Sequence, residues 1–323
     1  MQIHFYLPEK YWPDSVRQEA WKAGKITLLE QGGKIACAQC WIYQTWAALQ
    51  RAGLAVNLTA QIPKEGILLG LSGFFGDDFR APPDVFFAGI VADYLPHPGA
   101  HRHILQNPVH ARRLARSTYM PLWPHPNLIP RAASRGDTFA TICFFGDAQN
   151  LAPELQDPAW TRQLEAMGLR LVVCQADRWH DYREADCVIA MRGFGSSPYL
   201  HKPATKLYNA WLAGVPFIGG KDSAYAADGR PGVNFLQAAS PQELLEHLRR
   251  LKADATLRQS LVAGGQEAGR NFHSSAILER WKNLLTQDIP ELARQWREQS
   301  ALSRRIFSFS QTTSVWLDRK LRR

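Results

Sequence analysis

The chain has 323 residues, enough for two domains, and a net charge of +9 that favours anionic partners such as nucleotides or phospholipid surfaces. The basic residues are dispersed, and the sequence contains no recognisable motif of a nucleic-acid-binding domain. We therefore expect no nucleic-acid partner. No segment reaches the ~18 apolar residues of a membrane span. Five cysteines and a start at residues 1–8 without signal-peptide features predict a cytoplasmic protein with reduced thiols.

The first part of the chain predicts an α/β domain. Strands are expected over residues 3–7, 54–58, 66–71, 85–91 and 104–107, with a helix over 35–51 that Gly53 closes. Residues 85–91 are continuously apolar, as expected of a parallel strand that is buried on both faces. Four prolines within residues 119–131 make that stretch the best candidate for a linker.

The second part alternates between strands and helices. We predict strands at 139–145, 169–174, 187–191 and 215–218, and helices at 160–167, 205–213, 241–252, 255–268 and 274–285. Such alternation implies βαβ units and parallel sheets. The expected architecture is therefore two α/β lobes with a cleft between them. Residues 1–125 form the first, 126–290 the second, and 291–323 a crossing helix with a basic tail.

The stretch 201–220 carries the strongest functional signal. Lys202 and Lys206 lie four residues apart around a predicted helix start, and Pro203 suits the first helical position. A helix N-terminus presents free N–H groups and a partial positive charge. Two ammonium groups at that end make a site for a diphosphate. The alternative is a solvated lysine pair on a surface helix.

The run that starts at Asn209, Asn-Ala-Trp-Leu-Ala-Gly-Val-Pro, resembles the nucleotide-sugar half of GT-B glycosyltransferases. In that family the second Glu of a Glu-x7-Glu motif opens a similar run, and here His201 and Asn209 stand at the first and second Glu positions. The resemblance covers residues 138–285 well. It implies two Rossmann-like, doubly wound parallel-sheet domains that face each other across a cleft.

The resemblance also implies an activity, the transfer of a sugar from a nucleotide-diphosphate sugar to a glycan or lipid-linked acceptor. The family needs no metal, and no cofactor beyond the donor is expected. Since both acidic positions of the motif are replaced, a GT-B-like binding or scaffold protein without catalysis stays open as the alternative. The residues that we predict to bind the donor are Gly33, Gly146, Asp147, Arg192, Lys202, Thr205, Lys206 and Asn209.

An inverting enzyme of this kind needs a base on the first lobe. Asp93, His97 and His101, with His103 nearby, follow the buried strand 85–91, and a His or Asp with a pKa near the working pH suits the role. The alternative is that these are ordinary loop histidines. A metal bound by His101 and His103 is the weaker interpretation, because no Asp-x-Asp is present.

The tail over residues 296–323 mixes apolar side chains with basic ones, among them Arg304, Arg305, Arg319, Lys320, Arg322 and Arg323. Such a stretch can lie on an anionic membrane surface, which would make the protein peripheral on the inner membrane. It can also pack back on the first lobe as a helix. We expect packing for the first half of the tail and a loose basic end at residues 319–323.

Overall fold

The computed structural model describes residues 1–13 and 36–321, with side chains to residue 320. The predicted donor residue Gly33 lies outside these ranges. The described residues form two parallel sheets with helices around them, and the expected pair of α/β lobes is confirmed.

The first sheet has six parallel strands in the order β2-β1-β3-β4-β5-β6. The strands are β1 (Ile3–Tyr6), β2 (Asn57–Thr59), β3 (Glu65–Leu71), β4 (Asp84–Ile90), β5 (Arg102–Leu105) and β6 (Ser117–Tyr119). The first five strands fall where the sequence predicted them, within a few residues, and β6 was not predicted. In β3 and β4 every residue after the first is buried, because helices or loops cover both faces.

The second sheet has five parallel strands in the order β11-β10-β9-β7-β8. They are β7 (Thr141–Phe145), β8 (Arg170–Cys174), β9 (Cys187–Ala190), β10 (Phe217–Gly219) and β11 (Leu236–Gln237). The strand order reverses at β7, which has β8 on one side and β9 on the other. The carboxyl ends of β7 and β9 therefore flank a crevice of the kind where doubly wound sheets bind ligands.

The described residues contain ten α-helices, which surround the sheets and link the lobes. They are α1 (Gln44–Arg51), α2 (Pro108–Arg113), α3 (Pro158–Ala166), α4 (Thr205–Ala213), α5 (Ser223–Asp228), α6 (Pro241–Ala253), α7 (Ala255–Gly269), α8 (Ser274–Asn283), α9 (Ile289–Glu298) and α10 (Ala301–Leu321). One π-helical turn, Gln39–Tyr43, precedes α1. None of the helices in this part of the chain is long and apolar enough to cross a bilayer.

Local signals explain the ends of α4. Gly214 follows the helix with φ +69°, a left-handed conformation that glycine adopts without steric cost, so the chain turns into β10. At the other end α4 begins at Thr205 after Ala204. The prediction that Pro203 is the first helical residue is therefore wrong, and Pro203 lies in the preceding loop.

The chain returns to the first lobe earlier than the predicted boundary at residue 290. Ile277 and Trp281 of α8 are fully buried in the first lobe's core, beside Phe5 and Trp41. Apolar side chains at helical spacing need a covered face, and here the first sheet's outer layer supplies it. The second lobe thus ends near residue 273.

The long helix α10 packs against the first lobe over its whole length. The His110 ring lies 2.7 Å from Oδ1 of the buried Asp318, and Arg319 donates to both carboxylate oxygens of Asp77. Arg319 also donates to the Pro96 carbonyl. The expectation of a loose end from residue 319 is wrong at Arg319, because two acceptor groups on the first lobe hold its guanidinium.

Candidate functional site

A pocket of about 480 Å³ lies between the two sheets, at the carboxyl ends of their strands. The second lobe contributes the residues that follow β7 and β9 and the start of α4, while the first lobe contributes Asp93 after β4 and Gln106 after β5. Eight of the predicted site residues line it, namely Asp93, Gly146, Asp147, Arg192, Lys202, Thr205, Lys206 and Asn209. Residues far apart in sequence meet because parallel strands end at one edge of each sheet.

Lys206 is the central basic group of this pocket. Its Nζ lies 4.4 Å from the centroid of the Phe144 ring, and no acceptor in the described residues is within hydrogen-bond or ion-pair distance of it. Burial, and then the neighbouring Arg192 and Lys202 cations, lower the pKa of Lys206 to about 7. The Asp222 and Asp147 carboxylates oppose this shift. A partly desolvated ammonium without a direct acceptor is unfavourable, so an anion bound in the pocket would stabilise its charged form.

Gly146 makes the approach of Lys206 to the sheet edge possible. A Cβ at this position would lie 2.9 Å from the Lys206 Nζ and about as close to the Phe144 ring, at 3.1 Å. The glycine therefore leaves room beside the ammonium and lets the backbone at the end of β7 come close to a ligand.

Arg192 lines the same pocket and is partly neutralised. Its Nε lies 3.2 Å from Oδ2 of Asp222, a carboxylate that is 3% exposed. Burial raises the pKa of Asp222, while the Arg192 charge opposes that shift. The ion pair uses Nε, so it fixes the orientation of the guanidinium plane at the pocket wall.

Lys202 connects the two lobes through an ion pair. Its Nζ lies 3.1 Å from Oδ1 of Asp93, which is 54% exposed. Ala92, just before Asp93, has φ +47°, and Tyr199 in the facing loop has φ +45°. A left-handed conformation costs free energy in residues with a Cβ, and such residues cluster at functional sites. The turn after β4 thus holds its acidic group toward the second lobe.

Two amides at the end of β5 clamp the loop that carries Lys202. Gln106 Nε2 donates to the His201 carbonyl at 2.7 Å, and Asn107 Nδ2 donates to the Lys202 carbonyl at 3.1 Å and to Ser223 Oγ at 2.9 Å. The sequence prediction missed both amides. Asn107 followed by Pro108 is a helix N-cap signal that predicts α2, but the contact across the cleft has no sequence signal.

Thr205 and Asn209 project from the first turns of α4. The Thr205 Oγ1 is buried and has no hydrogen-bond partner among the described residues. Buried hydroxyl groups are nearly always paired, so this one is available for a ligand. The Asn209 Oδ1 accepts from the backbone N–H of His125 at 3.0 Å, which ties the predicted linker to α4.

Three polar side chains, one buried and two half-buried, also join the lobes behind the pocket, and the sequence prediction missed them. Tyr119 of β6 shares hydrogen bonds with Tyr208 of α4 and Asp228 of α5, at 2.9 Å and 2.8 Å. Burial raises the pKa values of both tyrosines and of the carboxyl group, so the hydroxyl groups stay protonated and can donate. Only the packing of the lobes brings these residues together.

The predicted histidines do not line the pocket. His97 is buried, with Nε2 2.8 Å from the Gly76 carbonyl and Nδ1 accepting from the Gly99 N–H. His101 Nδ1 accepts from the Phe87 N–H, and its ring lies 4.2 Å from that of Trp296. Burial lowers the pKa of His101 to about 3, so its ring stays neutral. The structure thus does not support a base role for His97 or His101, because the first lobe's interior encloses both rings.

His103 has the same kind of environment. Its Nε2 lies 3.0 Å from the His97 carbonyl and its Nδ1 lies 3.2 Å from the Gln311 amide of α10. Burial lowers the pKa of His103 to about 3. Among the candidates for a base, Asp93 alone lies at the pocket. The described residues also contain no group of three or more His, Cys, Asp or Glu side chains placed to hold a metal ion.

Searches with the sequence matched no family model and no curated protein. Solved structures match by fold. AviGT4, a glycosyltransferase of avilamycin A biosynthesis, has a TM-score of 0.55 and 15% identity, with 82% of this chain and 91% of that chain covered. Anabaena HepE with UDP and glucose has a TM-score of 0.51 and 11% identity, with 78% and 83% covered.

A third solved structure agrees with these two. Sucrose-phosphate synthase of Thermosynechococcus elongatus has a TM-score of 0.50 and 14% identity, with 70% of this chain and 74% of that chain covered. The predicted GT-B fold is confirmed, with two doubly wound parallel-sheet domains and a pocket between them.

Proposed function

We propose that the protein transfers a sugar from a nucleotide-diphosphate sugar to a hydroxyl group of a glycan or lipid-linked acceptor. One observation carries the proposal, which is the half-buried Lys206 ammonium that faces the pocket beside Gly146 without an acceptor among the described residues. A diphosphate supplies the missing negative charge. HepE, with the same fold, has been solved in complex with UDP and with UDP-glucose.

The pocket residues divide the chemistry between the two lobes. Lys206, Arg192 and Lys202 stabilise the charge that develops on the leaving diphosphate, and Thr205 donates from α4. Asn209 holds the ribose hydroxyls through its amide group. Since donor groups come from the second lobe and Asp93 from the first, the reaction takes place between the lobes.

Asp93 is the proposed base if the reaction inverts the anomeric centre. Its carboxylate lies on the first lobe, and the Lys202 ammonium at 3.1 Å orients it toward the second lobe. A base on the acceptor side removes the hydroxyl proton as the oxygen attacks the anomeric carbon and the diphosphate leaves.

We also propose that the reaction needs no divalent metal, because cationic side chains occupy the position where the diphosphate charge develops. Activity should persist in EDTA, and a strict requirement for Mn²⁺ or Mg²⁺ would contradict this part of the proposal. A cytoplasmic location fits a nucleotide-sugar donor.

The decisive experiment is a thermal-shift screen against UDP, GDP, ADP, CMP and TDP and their sugars. Only a ligand that binds the native state raises the melting temperature by mass action. The donor that binds is then tested for release of its nucleotide, with and without candidate acceptors. Binding without any release of nucleotide would indicate a GT-B-like binding protein, and no binding of any nucleotide would refute the assignment of the pocket.

A further inference from the structure

The outer face of α10 is an apolar stripe that nothing in the described residues covers. The stripe consists of Leu302, Ile306, Phe309, Trp316 and Leu317, which are 51–77% exposed. Their spacing of three, four or seven residues, with Leu317 next to Trp316, places them on one side of the helix. Gln311, Val315 and Asp318 on the opposite side are buried against the first lobe. The helix therefore has one face in the protein and a second apolar face outside it.

The charges around the apolar stripe are positive. Asp318 is the one acidic residue in the sequence of α10, and it is buried beside His110. Arg305 and Lys320 are exposed, and the Lys320 Nζ lies 3.8 Å from the centroid of the Trp316 ring. A tryptophan with a lysine over its ring suits the boundary between acyl chains and head groups, where an aromatic body is buried and an ammonium stays in water.

We propose that this face of α10 docks on an anionic phospholipid surface, with the apolar stripe in the head-group boundary and the basic side chains on the phosphates. The helix lies parallel to the bilayer. This binding does not depend on the proposed glycosyl transfer. It differs from the sequence-based expectation of a loose basic end, since Arg319 is held by Asp77 and the exposed apolar side chains provide the contact.

Charge favours a bilayer over a second copy of the chain as the partner. A pair of α10 helices would bring the exposed Arg305 and Lys320 of both copies to one contact, where α10 has no exposed acidic side chain to neutralise them, and like charges close together are destabilising. Anionic lipids instead attract every exposed charge of the helix, at about 1 kcal/mol for each basic residue near the surface.

The test is flotation of the full chain with vesicles of phosphatidylcholine alone or of equimolar phosphatidylcholine and phosphatidylglycerol. We expect binding to the anionic vesicles that weakens with salt, and little binding to the neutral ones. Ile306→Ser and Phe309→Ser should each lower the partition coefficient about tenfold, since each removes a large apolar side chain from the contact. Val233→Ser is the matched control, because Val233 is an exposed apolar residue of the second lobe.

Thermal melting of each variant checks that the fold is retained, which is expected because both stripe residues are exposed. Equal vesicle binding by the wild type and the stripe variants would overturn the proposal. A wild type that does not bind anionic vesicles would overturn it as well. A further overturning result is a concentration-dependent dimer in light scattering that Phe309→Ser abolishes, because the stripe would then be a contact between copies.

Discussion

Two groups of basic side chains looked alike in the sequence and differ in the structure. The cation cluster, Arg192, Lys202 and Lys206, lines the pocket between the lobes. The histidine cluster, His97, His101 and His103, packs in the first lobe, where backbone groups or Gln311 bond both ring nitrogens of His97 and His103 and Nδ1 of His101. Residue type identified both as candidates. The clusters differ in whether they line the pocket. Within the cation cluster Arg192 and Lys202 have carboxylate partners, while Lys206 has none among the described residues.

The same difference is seen in the two pKa shifts. Burial lowers the pKa of His103 to about 3, and the ring remains a neutral hydrogen-bonding group. Burial lowers the pKa of Lys206 to about 7, and a bound anion would restore its charge. A buried titratable group thus indicates function only when its charged form has something to bind that the fold does not provide.

The largest expected effect tests which side chain of the first lobe is the base. Asp93→Asn should lower the rate of sugar transfer by ~10²–10⁴-fold, because the amide cannot accept the hydroxyl proton. The dissociation constant of the nucleotide should change little. Steady-state kinetics and calorimetry measure the two effects separately.

Asp77→Asn is the control for this substitution, since Asp77 is an acidic residue of the same lobe whose ion pair with Arg319 lies away from the pocket. If Asp93→Asn kept the full rate, the base assignment would be lost.

The next effect concerns the histidine cluster. His103→Ala should lower the free energy of unfolding by about 2–3 kcal/mol, because it removes two buried hydrogen bonds and leaves a cavity. Nucleotide affinity should be unchanged. Chemical denaturation measures the first quantity and calorimetry the second.

His247→Ala serves as the comparison, because this half-buried ring of the second lobe makes a 3.0 Å hydrogen bond to the Gln237 carbonyl. His247→Ala should lower the free energy of unfolding by less than His103→Ala does, by about 1 kcal/mol. If the His103→Ala protein were as stable as the wild type but transferred sugar more slowly, the result would support a catalytic role for His103.

For the cation cluster, Lys206→Ala should weaken binding of the nucleotide diphosphate by about 1–3 kcal/mol, which is the loss of a charge-assisted bond. Isothermal titration measures it directly. Lys252→Ala is the control, because Lys252 is an exposed lysine of the same lobe that donates to the Met167 carbonyl. Equal affinities of the two variants would mean that Lys206 does not contact the diphosphate.

The smallest effect is the pH dependence of that binding. The pKa of Lys206 is about 7 without ligand, well below its ordinary value of 10.5, and a bound diphosphate raises it. The affinity for the diphosphate should therefore be highest below pH 7 and fall above it. The fall is up to about tenfold per pH unit over the range where Lys206 of the unliganded protein loses its proton.

Lys206→Arg should remove this dependence, since a guanidinium stays charged throughout the range. Titrations from pH 6 to 9 compare the two proteins. A wild-type affinity that stays constant over this range would show that proton uptake by Lys206 does not accompany binding.

Much of the fold could be predicted from the sequence, because its signals are local. Apolar runs specify β3 and β4, and the Gly-Val-Pro turn ends α4 with Gly214 in the left-handed region. The alternation of strands and helices implies parallel sheets, and parallel strands place their following loops at one edge. The eight pocket residues named from the sequence follow such strands or open α4, which explains why they meet.

Tertiary structure decided which of these residues contact each other, because a contact between residues far apart in the chain has no signal in the local sequence. The ion pair of Asp93 and Lys202 joins residues from two lobes, and so do the clamp of Asn107 on the Lys202 loop and the hydrogen bond of Tyr119 to Asp228. Whether a histidine faces a cleft or a core depends on what packs over it, and here α10 and the loop around Gly76 enclose the cluster. The sequence determined which groups carry chemistry, and packing decided which of them remain available for it.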